Sequence, residues 1–269
     1  MFSRLKGEKG GVAAAGPAAP TGSGSGAPAP GWPWEPDQSV AARLAMSSLI
    51  KFFPKSLTQN GRLQGEALFC VIGALTGFAA QYAVRQEHIA SGKAKEGDVF
   101  LIAEAPNGER YYFGDRLNAI LVPETLESLT VLSILGGEAL KLGAAKEEIA
   151  DCHEIFERTA KSIGTPGFGI PELPPGHKPF LMPRRAVEIF WPSVLKVFTR
   201  EPVVPVPGFK LVEPRYWPLL LAAVAASFMP AIKGSPLSPA LTLKIFMEAA
   251  IPMSKIDQSA VHFVGATQH

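Results

Sequence analysis

The chain has 269 residues, enough for one large domain or two small ones around a sizeable core. Its charged fraction of 19% is below the usual ~25%, and its mean hydropathy is +0.15, which points to much buried helix or to contact with lipid. A net charge of +2 without a basic, aromatic-laced stripe argues against nucleic acid, and two distant cysteines argue against a disulfide framework and for a reducing, cytoplasmic setting.

The first residues, MFSRLKGEKGG, are not followed by an apolar stretch of export length. Residues 1–31 are built mainly from Gly, Ala, Pro, Ser and Thr, too little grease to offset the entropy of ordering, and read as a disordered arm. Phe2, Arg4, Leu5 and Lys6 at its head form a candidate tethered docking peptide. Trp32 and Trp34 carry too much apolar area for a linker, so at least one is expected to pack on the body.

Asp37 reads as the N-cap of a helix over 38–53 that Pro54 stops. A helix over 62–90 follows. Its stretch 67–84 has no formal charge, at the lower length limit for a membrane span, and Gly73 and Gly77 form a GxxxG pair that admits a second backbone. The preferred reading is a central helix buried on all sides, with a membrane segment as the alternative.

The sharpest local signal is EAPNGERYYFG, residues 104–114. Asn107-Gly108 suggests a two-residue type I′ turn, giving a β-hairpin over about 98–114 with apolar side chains on both faces. An isolated two-stranded ribbon is marginal in water. One face is therefore expected on the 67–84 or the 123–142 helix. The free edge is expected to pair with 202–212, with a second copy of the chain, or with a client strand.

Pro123 is placed at the start of a helix running to Leu142, followed by a partner over 144–163 with Ile149, Cys152, Phe156, Ala160 and Ile163 as its inner stripe. Residues 164–183 are a Pro/Gly-rich crossing. Helices over 184–200 and 238–251 flank an uncharged run, 216–232, which is interrupted by prolines. The expected architecture is mainly α: a helical bundle with one β-hairpin, in lobes 32–163 and 184–255 that are separable or fused, and a weakly patterned tail, 256–269.

No phosphate loop, dinucleotide loop, nucleophile elbow or zinc pair is present. His153 and Glu157, one helical turn apart, are weak metal candidates that lack the further ligands an iron bundle needs, so no cofactor is expected. Binding candidates are polar groups near the hairpin and in the crossing: Arg110, Tyr112, Asp115, Arg116, His177, Arg184 and Arg185. The leading expectation is a non-enzymatic interaction or scaffolding protein that docks a protein partner or dimerises through the hairpin edge. Alternatives are a binding protein for an apolar or lipid-like ligand, and membrane association through 67–84 and 216–232.

Overall fold

The computed structural model describes residues 36–264 apart from 124, 126–127, 203–205 and 233–234. The arm, its head, Trp32 and Trp34 lie outside the described residues. From Pro33 onward the chain clusters as one unit.

Helix α1, Ser39–Leu57, buries Ala42, Ala45, Leu49, Phe53 and Leu57 along one stripe. It runs one turn past Pro54 instead of stopping there, and the Pro54 carbonyl is used by both the amide and the hydroxyl of Thr58. Asp37 is not the cap. It pairs with Lys210, and Gln38 at the cap position bonds Glu213. A small ribbon follows, β1 Thr58–Gln59 with β2 Arg62–Leu63, so residues 62–64 precede the next helix.

Helix α2, Gly65–Val84, is buried on every side from Ala67 to Gln81. A Cβ added at Gly73 would collide with the Phe246 carbonyl, and one at Gly77 with the Ala250 carbonyl. The GxxxG pair is thus where helix α9, Pro239–Met253, crosses α2 at backbone contact. The wider turn Arg85–Ala90 ends the α2 rod. The 65–90 and 214–232 segments are both long and apolar enough to cross a membrane. The fold buries 94% of the most apolar window of the first and 56% of the second.

The short helix α3, Glu96–Val99, takes residues read from sequence as strand. The second ribbon joins β3 Leu101–Glu104 to β4 Arg110–Phe113, with Leu101 opposite Phe113 and Glu104 opposite Arg110. Its turn is not type I′. Pro106 holds a negative φ, Asn107 stays out of the left-handed region, and Gly108 alone has a positive φ of 79°. The Gly108 amide bonds the Ala105 carbonyl at 2.8 Å, so this is a type I turn closed by a left-handed glycine.

Residues 115–121 form helix α4, Asp115–Leu121, not a loop. Pro123 starts no helix. Helix α5 begins at Val131, where Thr130 and Ser133 cap each other reciprocally, and runs to Lys141. The partner is shorter than expected: α6 spans Cys152–Ser162, opened by the Asp151 carboxylate on the His153 amide. Its buried face is Cys152, Ile155 and Thr159, while Phe156 is half-buried and Ala160 exposed. Helix α7, Pro183–Thr199, and helix α8, Trp217–Phe228, complete the shell around α2. A stack of Tyr82, Trp217 and Phe198 ties α2, α8 and α7 together.

The crossing is anchored to the start of α2. Gln64 donates to the Lys178 carbonyl and accepts from the Phe180 amide, and Cys70 meets the Leu181 carbonyl. The described part of 202–212 forms no strand. Instead, residues 254–261, which join the end of the expected second lobe to the start of the weakly patterned tail, form a strap across β4: Tyr111 bridges to Ile256, and the Tyr112 amide donates to the Lys255 carbonyl at 2.8 Å. At the end of the 202–212 segment Val212 is buried in the core, and its carbonyl accepts the Trp217 indole N–H at 2.8 Å.

Candidate interaction site at the second hairpin

Successive residues of a strand face opposite ways, so Tyr111 and Tyr112 bury β4 on both sides. Tyr112 lies under the Arg85 guanidinium at 4.3 Å from the ring centroid, and Arg85 is held by Glu96 and by Gln81 of α2. Tyr111 packs edge-on against Phe168 of the crossing, with centroids 4.7 Å apart. Its hydroxyl donates to Glu109 at 2.8 Å and accepts the Gly164 amide at 3.2 Å. Gly164 is left-handed, φ 69°, and a Cβ there would sit 2.5 Å from the Ala105 Cβ, so the crossing lies directly on the ribbon.

Arg184, in the first turn of α7, donates to Glu109 at 2.8 Å. Arg184, then Tyr111 and Asn107, hold the Glu109 carboxyl down at about 2. On the strap, Arg110 donates twice to one oxygen of Asp257, at 3.1 and 2.8 Å. Burial pushes Asp257 up, but the Ser259 hydroxyl and amide together with Arg110 outweigh it, and the carboxyl lies below its ordinary value. These groups enclose a cleft of about 170 Å³ between the turn, α7 and the strap.

The outer strand differs. Leu101 is 73% exposed and Ile102 37%, and β3 pairs only with β4 among the described strands. Its outward edge is an unpaired row of backbone donors and acceptors.

Of the residues singled out from sequence, Arg110 and Arg184 line the same cleft, with Tyr112 buried behind them. Asp115 lies exposed at the start of α4, and Arg116 donates to His88 at 3.1 Å. His177 pairs with Glu66 at 3.0 Å at the start of α2, and Arg185 with Glu188. None of these four lines the cleft. His153 and Glu157 are exposed on α6, where Glu157 pairs with Lys161, and no three potential metal ligands come together among the described residues.

Glu109, Asp257 and Lys255 were not singled out from sequence. Asp257 carries a local signal, since Asp-x-Ser favours the side-chain turn it makes with Ser259. Lys255 carries only the apolar company of Met253 and Ile256. A second polar group inside the bundle is Glu248 of α9, which is 2% exposed, bonded to Arg158 and accepting the Glu172 amide. No protein-family model, curated protein or solved structure matches this chain.

Proposed function

We propose that this protein is a non-enzymatic interaction or scaffolding protein that receives an extended segment of a partner, or of a second copy, along the outer edge of β3. The observation that carries this reading is the asymmetry of the ribbon. Its inner strand is closed by the strap and by buried tyrosines, while its outer strand offers a free backbone edge and the exposed Leu101 and Ile102. Strand addition draws affinity from main-chain hydrogen bonds and specificity from alternate side chains, and both are supplied there. Size-exclusion with light scattering and affinity capture test it. The full chain should self-associate or retain a partner, and L101K/I102K should lose this with its melting temperature unchanged. A clean monomer that retains nothing sinks the reading.

A second reading, a binder of an apolar or lipid-like ligand, draws support from a groove of about 400 Å³ between α1, α7 and the 209–212 segment. Leu44, Ala45, Phe198 and Phe209 line it, with Lys196 and Arg200 at its rim. Native mass spectrometry of the purified chain checks this directly, and a spectrum free of adducts counts against it. Burial of the 65–90 window inside the bundle favours a core helix over a membrane contact. Full recovery without detergent would agree.

A further inference from the structure

Lys255 is the most unusual ionisable group in the fold. Its side chain is fully buried, its Nζ donates to the Asn118 side-chain oxygen at 2.7 Å, and it faces the rings of Phe156 and Phe113 at 5.2 and 5.6 Å. No carboxylate lies within ion-pairing distance of Nζ among the described residues. The charged groups of every element around it are spent elsewhere or exposed. On α4, Asp115 is exposed and Arg116 bonds His88. On β4, Arg110 pairs with Asp257 of the strap, and Tyr112 lies under Arg85. On α6, Arg158 pairs with Glu172 and with Glu248 of α9, His153, Glu154 and Glu157 are exposed, and burial holds the Cys152 thiol up at about 12. At the end of α2, Arg85 pairs with Glu96. A charged ammonium in this place has an amide oxygen and two ring faces in exchange for its water, a poor replacement.

The same residue holds the strap. Its carbonyl accepts the Tyr112 amide, the next residue bridges to Tyr111, and beyond it Gln258 donates to the Phe78 carbonyl of α2 at 2.7 Å. The Arg110–Asp257 pair, the Gln81 side-chain amide on the Ser254 carbonyl and the buried Ile256 and Val261 hold the rest of the strap, and a charge on Lys255 is what works against them.

We propose that residues 254–261 are a releasable cover for the inner edge of β4, with Lys255 as its catch: the neutral amine seats the strap and the protonated amine drives it off. This goes beyond the docking role of β3 and does not depend on it. Lifting the strap would bare a second edge, on β4.

The direction with pH follows from burial. The amine is pushed down to about 7 when seated and returns to ~10.4 when the strap is free in water. The lifted state therefore takes up a proton between these values. Seating strengthens as pH rises through that window, by at most about tenfold per pH unit, and is flat below 7.

Hydrogen exchange of the full chain, followed by NMR and corrected for intrinsic rates, tests this at the Tyr112 amide, with the Leu75 amide of α2 as the reporter of global opening. Tyr112 protection should rise at least fivefold from pH 7 to 8.5 without Leu75 following. In Lys255→Met it should be flat and higher at pH 7. The same slope in the variant, no slope in the native chain, or Tyr112 and Leu75 rising together would each overturn the proposal. Should Lys255→Met fail to fold, the Nζ titration of the native chain decides: a midpoint near 7 supports the catch, and one near 10 ends it.

Discussion

Asn-Gly occurs at two turns of this chain, and the two copies build different structures. At Asn60-Gly61 both residues are left-handed, with φ of 50° and 74°, and the dipeptide closes a two-residue turn between β1 and β2. At Asn107-Gly108 the preceding Pro106 commits the chain to a type I turn, and only Gly108 is left-handed. The first ribbon is exposed at every residue from Thr58 to Leu63. The second is pinned by Tyr111, Arg184, the crossing and the strap. Turn chemistry thus shapes a ribbon locally, whereas tertiary contacts decide whether it becomes part of the core.

Substitutions that strike the pinning should separate the two ribbons. Tyr111→Ala empties a buried aromatic site and orphans the Gly164 amide, so a loss of about 3 to 5 kcal/mol is expected in urea unfolding. Leu63→Ala on the exposed first ribbon should cost below about 0.5 kcal/mol. A loss for Tyr111→Ala no larger than that for Leu63→Ala would mean the second ribbon is not integral.

Gly164→Val sharpens the same contrast. Its Cβ would press on Ala105 from a left-handed backbone, for an expected cost of about 2 to 3 kcal/mol, read from the denaturation midpoint. A neutral outcome would place the crossing away from the ribbon.

Gly61→Ala and Gly108→Ala should instead cost alike, about 1 kcal/mol each. Both glycines are left-handed, and neither has any atom near the added Cβ. Thermal melts of the two variants check it, and a difference beyond about 1 kcal/mol would show that the turn type matters more than the glycine.

The smallest effect is electrostatic. Glu109 has a folded value of about 2 against 4.5 for the free side chain, so its stabilisation is complete above about 4.5 and is lost as pH falls toward 2. The side chain is partly exposed, so solvent screening limits the contribution to less than about 1 kcal/mol. Arg184→Ala should flatten that acid limb of the stability curve, and an unchanged limb would show that Arg184 does not hold the carboxylate.

Where local rules governed, the sequence was easy to read. The uncharged 67–84 stretch is the buried heart of α2, and its GxxxG pair marks the α9 crossing. Helices α7 and α9 start and stop within about two residues of their expected ends, since Pro183 and Ser238 open them as first-turn proline and cap. Structure and sequence pattern part where two local signals compete. Pro54 does not stop α1, and α5 opens at the reciprocal Thr130–Ser133 cap and not at Pro123. Asn60-Gly61 carries the same turn signal as Asn107-Gly108, and it is the one that makes the two-residue left-handed turn. The site was legible only in part. Arg110 and Arg184 stood among the chosen residues, but Glu109 and Asp257, which orient them, did not.

By itself the sequence determined the helical class, the two apolar runs and the glycines at which helices touch, because these depend on periodicity, side-chain size and hydropathy within a few turns of chain. Only the tertiary structure decided that a tail residue, Ile256, bridges to β4, that Lys255 is buried without a counter-ion, and that Arg110 meets Asp257 across 147 positions. Such pairings depend on where the helices deliver distant segments, and a charged side chain looks the same in sequence whether it ends in water or in the core.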